Sequence, residues 1–131
     1  MSKPQIFISY SGKDRDWAGR LAYQLARLGA DPWIDVFALG VGEKSNKTAE
    51  ALSKSDAFAF VIGNEEPSAN VFFEMGVAAA SGRPVIPILL NSSARAKLPA
   101  DFSRSIQLVT DKPEEAATKI AEITSGLAPA T

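Results

Sequence analysis

The chain contains no cysteine and no histidine. Without Cys there are no disulfides, thiolate zinc sites or cysteine nucleophile; without His the commonest general base and the commonest metal ligand are gone. Any catalyst built here must use a carboxylate, a hydroxyl or an amine, and no metal site is expected. Long apolar runs are missing too. No stretch reaches the roughly 18 consecutive apolar residues of a membrane span, and the run in "MSKPQIFISYS" is too short for a signal peptide's core. The chain therefore reads as soluble, intracellular and cytoplasmic, with no membrane partner. Excess charge is missing as well, since 14 Lys and Arg stand against 15 Asp and Glu for a formal net of −1, so no basic field draws nucleic acid. Neither G-x-G-x-x-G after the first strand nor G-x-x-x-x-G-K-[ST] occurs, which removes the usual phosphate-binding loops. A G-x-S-x-G elbow is also lacking, and without His no Ser-His-Asp triad can form.

What is present fits one ordinary globular domain: 131 residues, 46% hydrophobic and 22% charged, with no internal repeat. "PQIFISYS" predicts a first strand at 5–10, and Trp17, Leu21, Leu25 and Leu28 predict an amphipathic helix stopped by Gly29. A short strand at 31–36 ("DPWIDV") leads into the glycine-bearing loop "FALGVGEKS", then a weak helix with Ala49 and Leu52 facing inward. "DAFAFVIG" (56–63) and "RPVIPILL" (83–90) are apolar almost throughout, as strands covered on both faces must be. Between them 69–81 reads as a helix. A fourth helix at 93–98, a strand at 105–110 and a helix opened by Pro113 with Ala116, Ile120 and Ile123 inward complete a βαβαβαβαβα order. Such alternation predicts a parallel sheet with helices on both faces, and ligands at the carboxyl ends of its strands.

Glu74 is the one acid in the run "SANVFFEMGVAAASGRPVIPILL". With Ser68 capping the helix, Phe72, Phe73, Gly76, Val77 and Ala80 cluster on one face, and Asn70, Glu74 and Ser81 fall on a stripe away from it. That stripe is either a solvated face or the wall of a ligand site beside the third strand. "SYSGKD" (9–14) has the same two readings: a turn with Ser11 or Asp14 as helix cap, or a polar strand end that lines a pocket. Trp33 reads as core and Asp35 as a loop anchor.

"IFISYSGKDRDWAGRLAYQLARLG", "PWIDV" through "VGEKSNKTAEALSKSDAFAFVIG" and "SANVFFEMGVAAASGRPVIPILL", in that order, resemble the Toll/interleukin-1 receptor (TIR) domain family over nearly the whole chain. The resemblance implies a flavodoxin-like α/β fold, three layers around a five-stranded parallel sheet, with a TIR domain at 1–125 and a tail or linker at 126–131. Within the family it resembles the bacterial NAD-cleaving type. There Glu74 stands at the catalytic position, Tyr10 and Ser11 in the loop lining the nicotinamide side, and Asp35, Leu39 and Gly42 in the loop after strand two that meets substrate and the next protomer. Asn70 stands where several relatives carry Trp, one turn before the glutamate, and so counts among the substrate-binding positions. NAD+ is then the substrate and no cofactor is needed.

The implied function is an NAD+ nucleosidase, a glycohydrolase or cyclase that releases nicotinamide and yields ADP-ribose or a cyclic isomer. It would serve antiviral or immune defence and be activated by oligomers or filaments through TIR–TIR contacts. One carboxylate suffices for this reaction, because nicotinamide is cationic in NAD+ and leaves neutral without a general acid, unlike an ordinary glycoside. Two alternatives stand beside it: a non-enzymatic TIR adaptor, and a nucleoside deoxyribosyltransferase-like enzyme, against which the "FISYSGKD" opening argues.

Overall fold

The computed structural model describes residues 3–34, 44–63, 65–67, 69–99, 102 and 107–125, excluding the side chains of 44–48 and of Asn70. Five strands, β1 (Gln5–Tyr10), β2 (Asp31–Ile34), β3 (Ala57–Ile62), β4 (Val85–Leu89) and β5 (Leu108–Val109), form one parallel sheet in the order β2-β1-β3-β4-β5. Helices α1 (Arg15–Arg27), α2 (Lys44–Lys54), α3 (Ala69–Ala80) and α4 (Pro113–Ser125) cover it.

Strand alternation divides the core into two halves. Ile6, Ile8, Ala57, Ala59, Val61, Ile86 and Ile88 meet α1 and α4 on one face. Phe7, Phe58, Phe60, Ile62 and Leu89 meet α2 and α3 on the other. Because β3 is buried at all six residues, its sequence shows no polar–apolar alternation, only a continuous apolar run. β5 is shorter than the expected 105–110. Residues 105 and 106 lie outside the description, and its pairing starts at Ile88↔Leu108, one residue past Pro87, which has no N–H to donate to a ladder.

Helix α1 stops where the sequence says it should. Gly29 takes a left-handed φ of 91°, Ala30 N–H reaches Leu25 O at 3.0 Å and Gly29 N–H reaches Ala26 O at 3.1 Å, so the last carbonyls are satisfied. Three expectations need correction. Leu28, expected on the inward stripe, is 51% exposed because it caps the helix after its last buried turn. Ala49 is exposed as well, and Ala51 and Leu52 carry the inward contact of α2. The fourth helix is a 3-10 turn at Ser92–Lys97, opened by Asn91, whose Oδ1 accepts from Ala94 N–H at 3.0 Å.

Candidate functional site

Strand order reverses between β1 and β3, since the chain leaves β1 outward to β2 and returns on the other side. In open parallel sheets ligands bind at this point, beyond the carboxyl ends of the strands. Ser9 lies near the end of β1, opposite Phe60 of β3, and its parity with Phe7 turns it toward α3.

Helix α3 meets the sheet with Val71, Glu74, Met75 and Ala78, spaced i, i+3, i+4 and i+7, all buried. This reverses the expected face. Phe72, Phe73 and Val77, read from the sequence as a cluster apart from the glutamate, are 40%, 64% and 37% exposed, while Glu74 goes inward and Ser81, expected on its stripe, stays exposed. Glu74 is only 2% exposed, and Ser9 Oγ donates a hydrogen bond to its Oε1 at 2.7 Å. A carboxylate taken out of water in this way is costly unless hydrogen bonds hold it, so the donor from β1 is part of what keeps it there. Sequence reasoning missed Ser9. The signal was available: two-residue alternation along "IFISY" puts position 9 with Phe7 and opposite Tyr10.

Tyr10, expected in the loop lining the nicotinamide side, packs on the face of the sheet opposite Ser9, with Ile6 and Ile8 among α1 and α4 contacts. Ser11 keeps an extended backbone (φ −90°, ψ 155°), which continues the pleat of β1 on Ser9's side, and is buried. It precedes a 3-10 turn at Gly12–Asp14, and Asp14 precedes α1, but neither side chain makes the expected cap hydrogen bond. Trp33 on β2 stacks on Phe7 with centroids 5.0 Å apart and planes 13° apart, so it belongs to the core on Glu74's side of the sheet. Asp35, Leu39, Gly42 and Ser68 lie outside the described residues, as does the side chain of Asn70, whose backbone is one turn before Glu74 in α3.

A second polar group ties neighbouring strand ends together. Lys97 Nζ donates to Gly63 O at 2.7 Å, and the Asp14 carboxyl lies so close to Gly63 that a Cβ there would meet Oδ1 at 2.6 Å. Burial raises the Asp14 pKa, the nearby Glu65 raises it further, and Lys97 opposes both. Among the described residues no group of three or more acids is placed to hold a metal ion.

A parallel sheet of order 2-1-3-4-5 between two helical layers, with one buried acid beside its switch point, defines a flavodoxin-like α/β domain. A family profile described as TIR domain matches residues 6–123, and the chain belongs to that family. No curated protein matches its sequence. Among solved structures, it is similar to the TIR domain of a Toll-related receptor from Hydra magnipapillata, with TM-score 0.72 and 14% identity over 92% of this chain and 98% of that one. It is similar also to a 2-desoxiribosyltransferase from Leishmania mexicana, with TM-score 0.63 and 18% identity over 91% and 97% of the two chains. A CMP N-glycosidase from Clostridium botulinum aligns with TM-score 0.58 and 18% identity over 88% and 97%. At these identities the likeness is one of fold. No helix among the described residues is long and apolar enough to cross a membrane.

Proposed function

We propose that this TIR domain cleaves the bond between nicotinamide and ribose in NAD+, with Glu74 as the catalytic carboxylate. The observation that carries the reading is the burial of Glu74, 2% exposed and hydrogen-bonded by Ser9, on a helix with no other charge. A solvated surface acid would not be sequestered at the strand-order switch. As the C–N bond breaks, positive charge grows on the ribose ring and its oxygen, and a carboxylate in a water-poor site stabilises that charge far better than one in water. The bonding pair returns to the cationic ring nitrogen and neutralises it, so nicotinamide departs uncharged, the positive charge stays on the ribosyl centre, and no proton donor is required. Ser9 is a positioning residue: its hydroxyl fixes one carboxylate oxygen and leaves the group aimed by both β1 and α3. Because Glu74 is almost fully covered, substrate entry requires neighbouring residues to part. Water attack on the ribosyl centre gives ADP-ribose; attack by the adenine end of the same molecule gives a cyclic isomer. Enzymes whose names state glycosyl chemistry share the fold, so its frame accommodates this class of reaction.

The test is nicotinamide release from NAD+ by concentrated protein. Glu74→Gln keeps the volume and the acceptor for Ser9 but removes the charge. It is expected to fold normally and to lose about a hundredfold or more in kcat, the scale of removing one transition-state stabiliser. Equal turnover in the variant rules Glu74 out as the catalytic group.

A second reading, a TIR signalling adaptor acting by TIR–TIR contact, has its own observation. The outer face of α3 shows Phe72, Phe73 and Val77 to solvent without a charge among them. This face also fits an enzyme that works as an oligomer or filament in an immune or antiviral response. Partner binding with NAD+ left intact would favour the adaptor.

A further inference from the structure

A groove of about 790 Å³ lies on the α1 side of the sheet, the face opposite Glu74. Its volume is within the range of small-molecule sites. Tyr10 and Ile34, the last residues of β1 and β2, line it at the sheet's carboxyl edge. The rest is mostly α1: Arg15, Gly19 and Tyr23 follow one another at four-residue spacing along one stripe, and Asp16 and Arg20 run beside them. Glu114, in the first turn of α4, completes the rim.

Two features call for a ligand. First, no hydrogen bond or ion pair among the described residues engages the side chains of Arg15, Arg20, Asp16 or Glu114, although four charges of both signs surround one concavity. Second, Gly19 stands in the middle of α1, where glycine weakens a helix relative to alanine. Packing does not require it, since a Cβ built there meets nothing within 4 Å. What the glycine does is leave the space between Arg15 and Tyr23 open.

We propose that this groove binds a ribonucleoside 5′-monophosphate. The flat base lies over the bare backbone at Gly19 against the Tyr23 ring, which is 65% exposed and so presents a stacking face. The guanidinium forks of Arg15 and Arg20 take the phosphate. Asp16 and Glu114 accept hydrogen bonds from the vicinal ribose hydroxyls. A purely anionic ligand would be repelled by the two acids, and an uncharged nucleoside would leave the arginines unused; a nucleotide matches both signs. The proposal stands apart from the NAD+ reading, since the groove lies on the α1 face of the sheet and Glu74 on the α3 face.

The experiment is calorimetric titration of the full chain with AMP, and separately with adenosine and with inorganic phosphate. AMP is expected to saturate, with adenosine and phosphate each binding at least about tenfold more weakly, because each alone forfeits the charged contacts or the stacking. Arg20→Ala is expected to weaken AMP by about tenfold. Gly19→Leu is expected to raise Tm, as a better helix former, and to abolish binding by filling the groove. Glu74→Gln is expected to bind AMP as the wild type does, which separates this site from the proposed catalytic one. Three outcomes each overturn the proposal: no saturable binding of AMP at a few millimolar, full binding by Gly19→Leu with its fold intact, or loss of binding in Glu74→Gln.

Discussion

At the scale of single residues, the pairing of Ser9 with Glu74 is the connection on which the site depends. The two are 65 positions apart in the chain, both are at least 98% buried, and 2.7 Å separates Oγ from Oε1. A hydrogen bond to a charged group is worth about 1.5–3 kcal/mol when its loss leaves the charge buried. Ser9→Ala is therefore expected to lower stability by about that amount and to reduce kcat for nicotinamide release more than it raises KM. Ser9→Thr keeps the hydroxyl and should recover most of the kcat. Equilibrium denaturation beside steady-state kinetics checks both, and a stability loss with unchanged kcat would reduce Ser9 to a structural role. Glu74 could be picked out from the sequence because it is isolated among apolar residues. Ser9 could not be picked out by composition, since one serine in a strand has no signature; only its parity and its partner on a distant helix give it meaning.

At the scale of elements, α3 shows why periodicity alone did not settle which face is buried. Its residues are so apolar that two faces compete: Val71, Met75 and Ala78 on one, Phe72, Phe73 and Val77 on the other. The bulkier pair of aromatics looks like the core face. The chain buries the other because small and flexible side chains fit against Phe58 and Phe60 while Glu74 reaches Ser9, and this choice depends on the sheet, which the helix sequence does not contain. The reversal leaves an apolar surface without a charge, and a surface of that kind associates. Phe73→Asp should accordingly reduce concentration-dependent self-association in sedimentation velocity. At an exposed position it should change unfolding stability by no more than about 0.5 kcal/mol. If the variant assembles as the wild type does, α3 is not the contact face. By contrast the existence of α1, its Leu21 and Leu25 core contacts and its stop at Gly29 were legible, because amphipathic spacing and a glycine stop both act locally; only Leu28, beyond the last buried turn, was misplaced.

At the scale of the whole molecule, the alternation of strands and helices and the continuous apolar runs of β3 and β4 were enough to read a parallel sheet covered on both faces, because both signals follow from burial itself. The ties between strand ends were not legible, since they join residues far apart. Asp14 after β1, Gly63 after β3 and Lys97 in the turn after β4 meet at one edge, and the Asp14 carboxyl is partly desolvated in the process. Its pKa is raised above the ordinary 3.8, first by burial and then by Glu65. The folded state therefore holds this proton more tightly than the unfolded chain does. That contribution to stability is fully present below pH 3.8 and is lost as the pH rises through the elevated folded value. At neutral pH the ionised, partly buried carboxylate is then a cost, against which Lys97 and the positive end of α1 act only in part. Asp14→Asn removes the ionisation while keeping the shape, and there is no side-chain cap bond to lose. The variant is expected to melt at a higher temperature than the wild type at pH 7, with the gap closing as the pH falls toward 4. A gap that stays constant over that range would show that the substitution acts through packing and that ionisation of Asp14 does not weaken this edge.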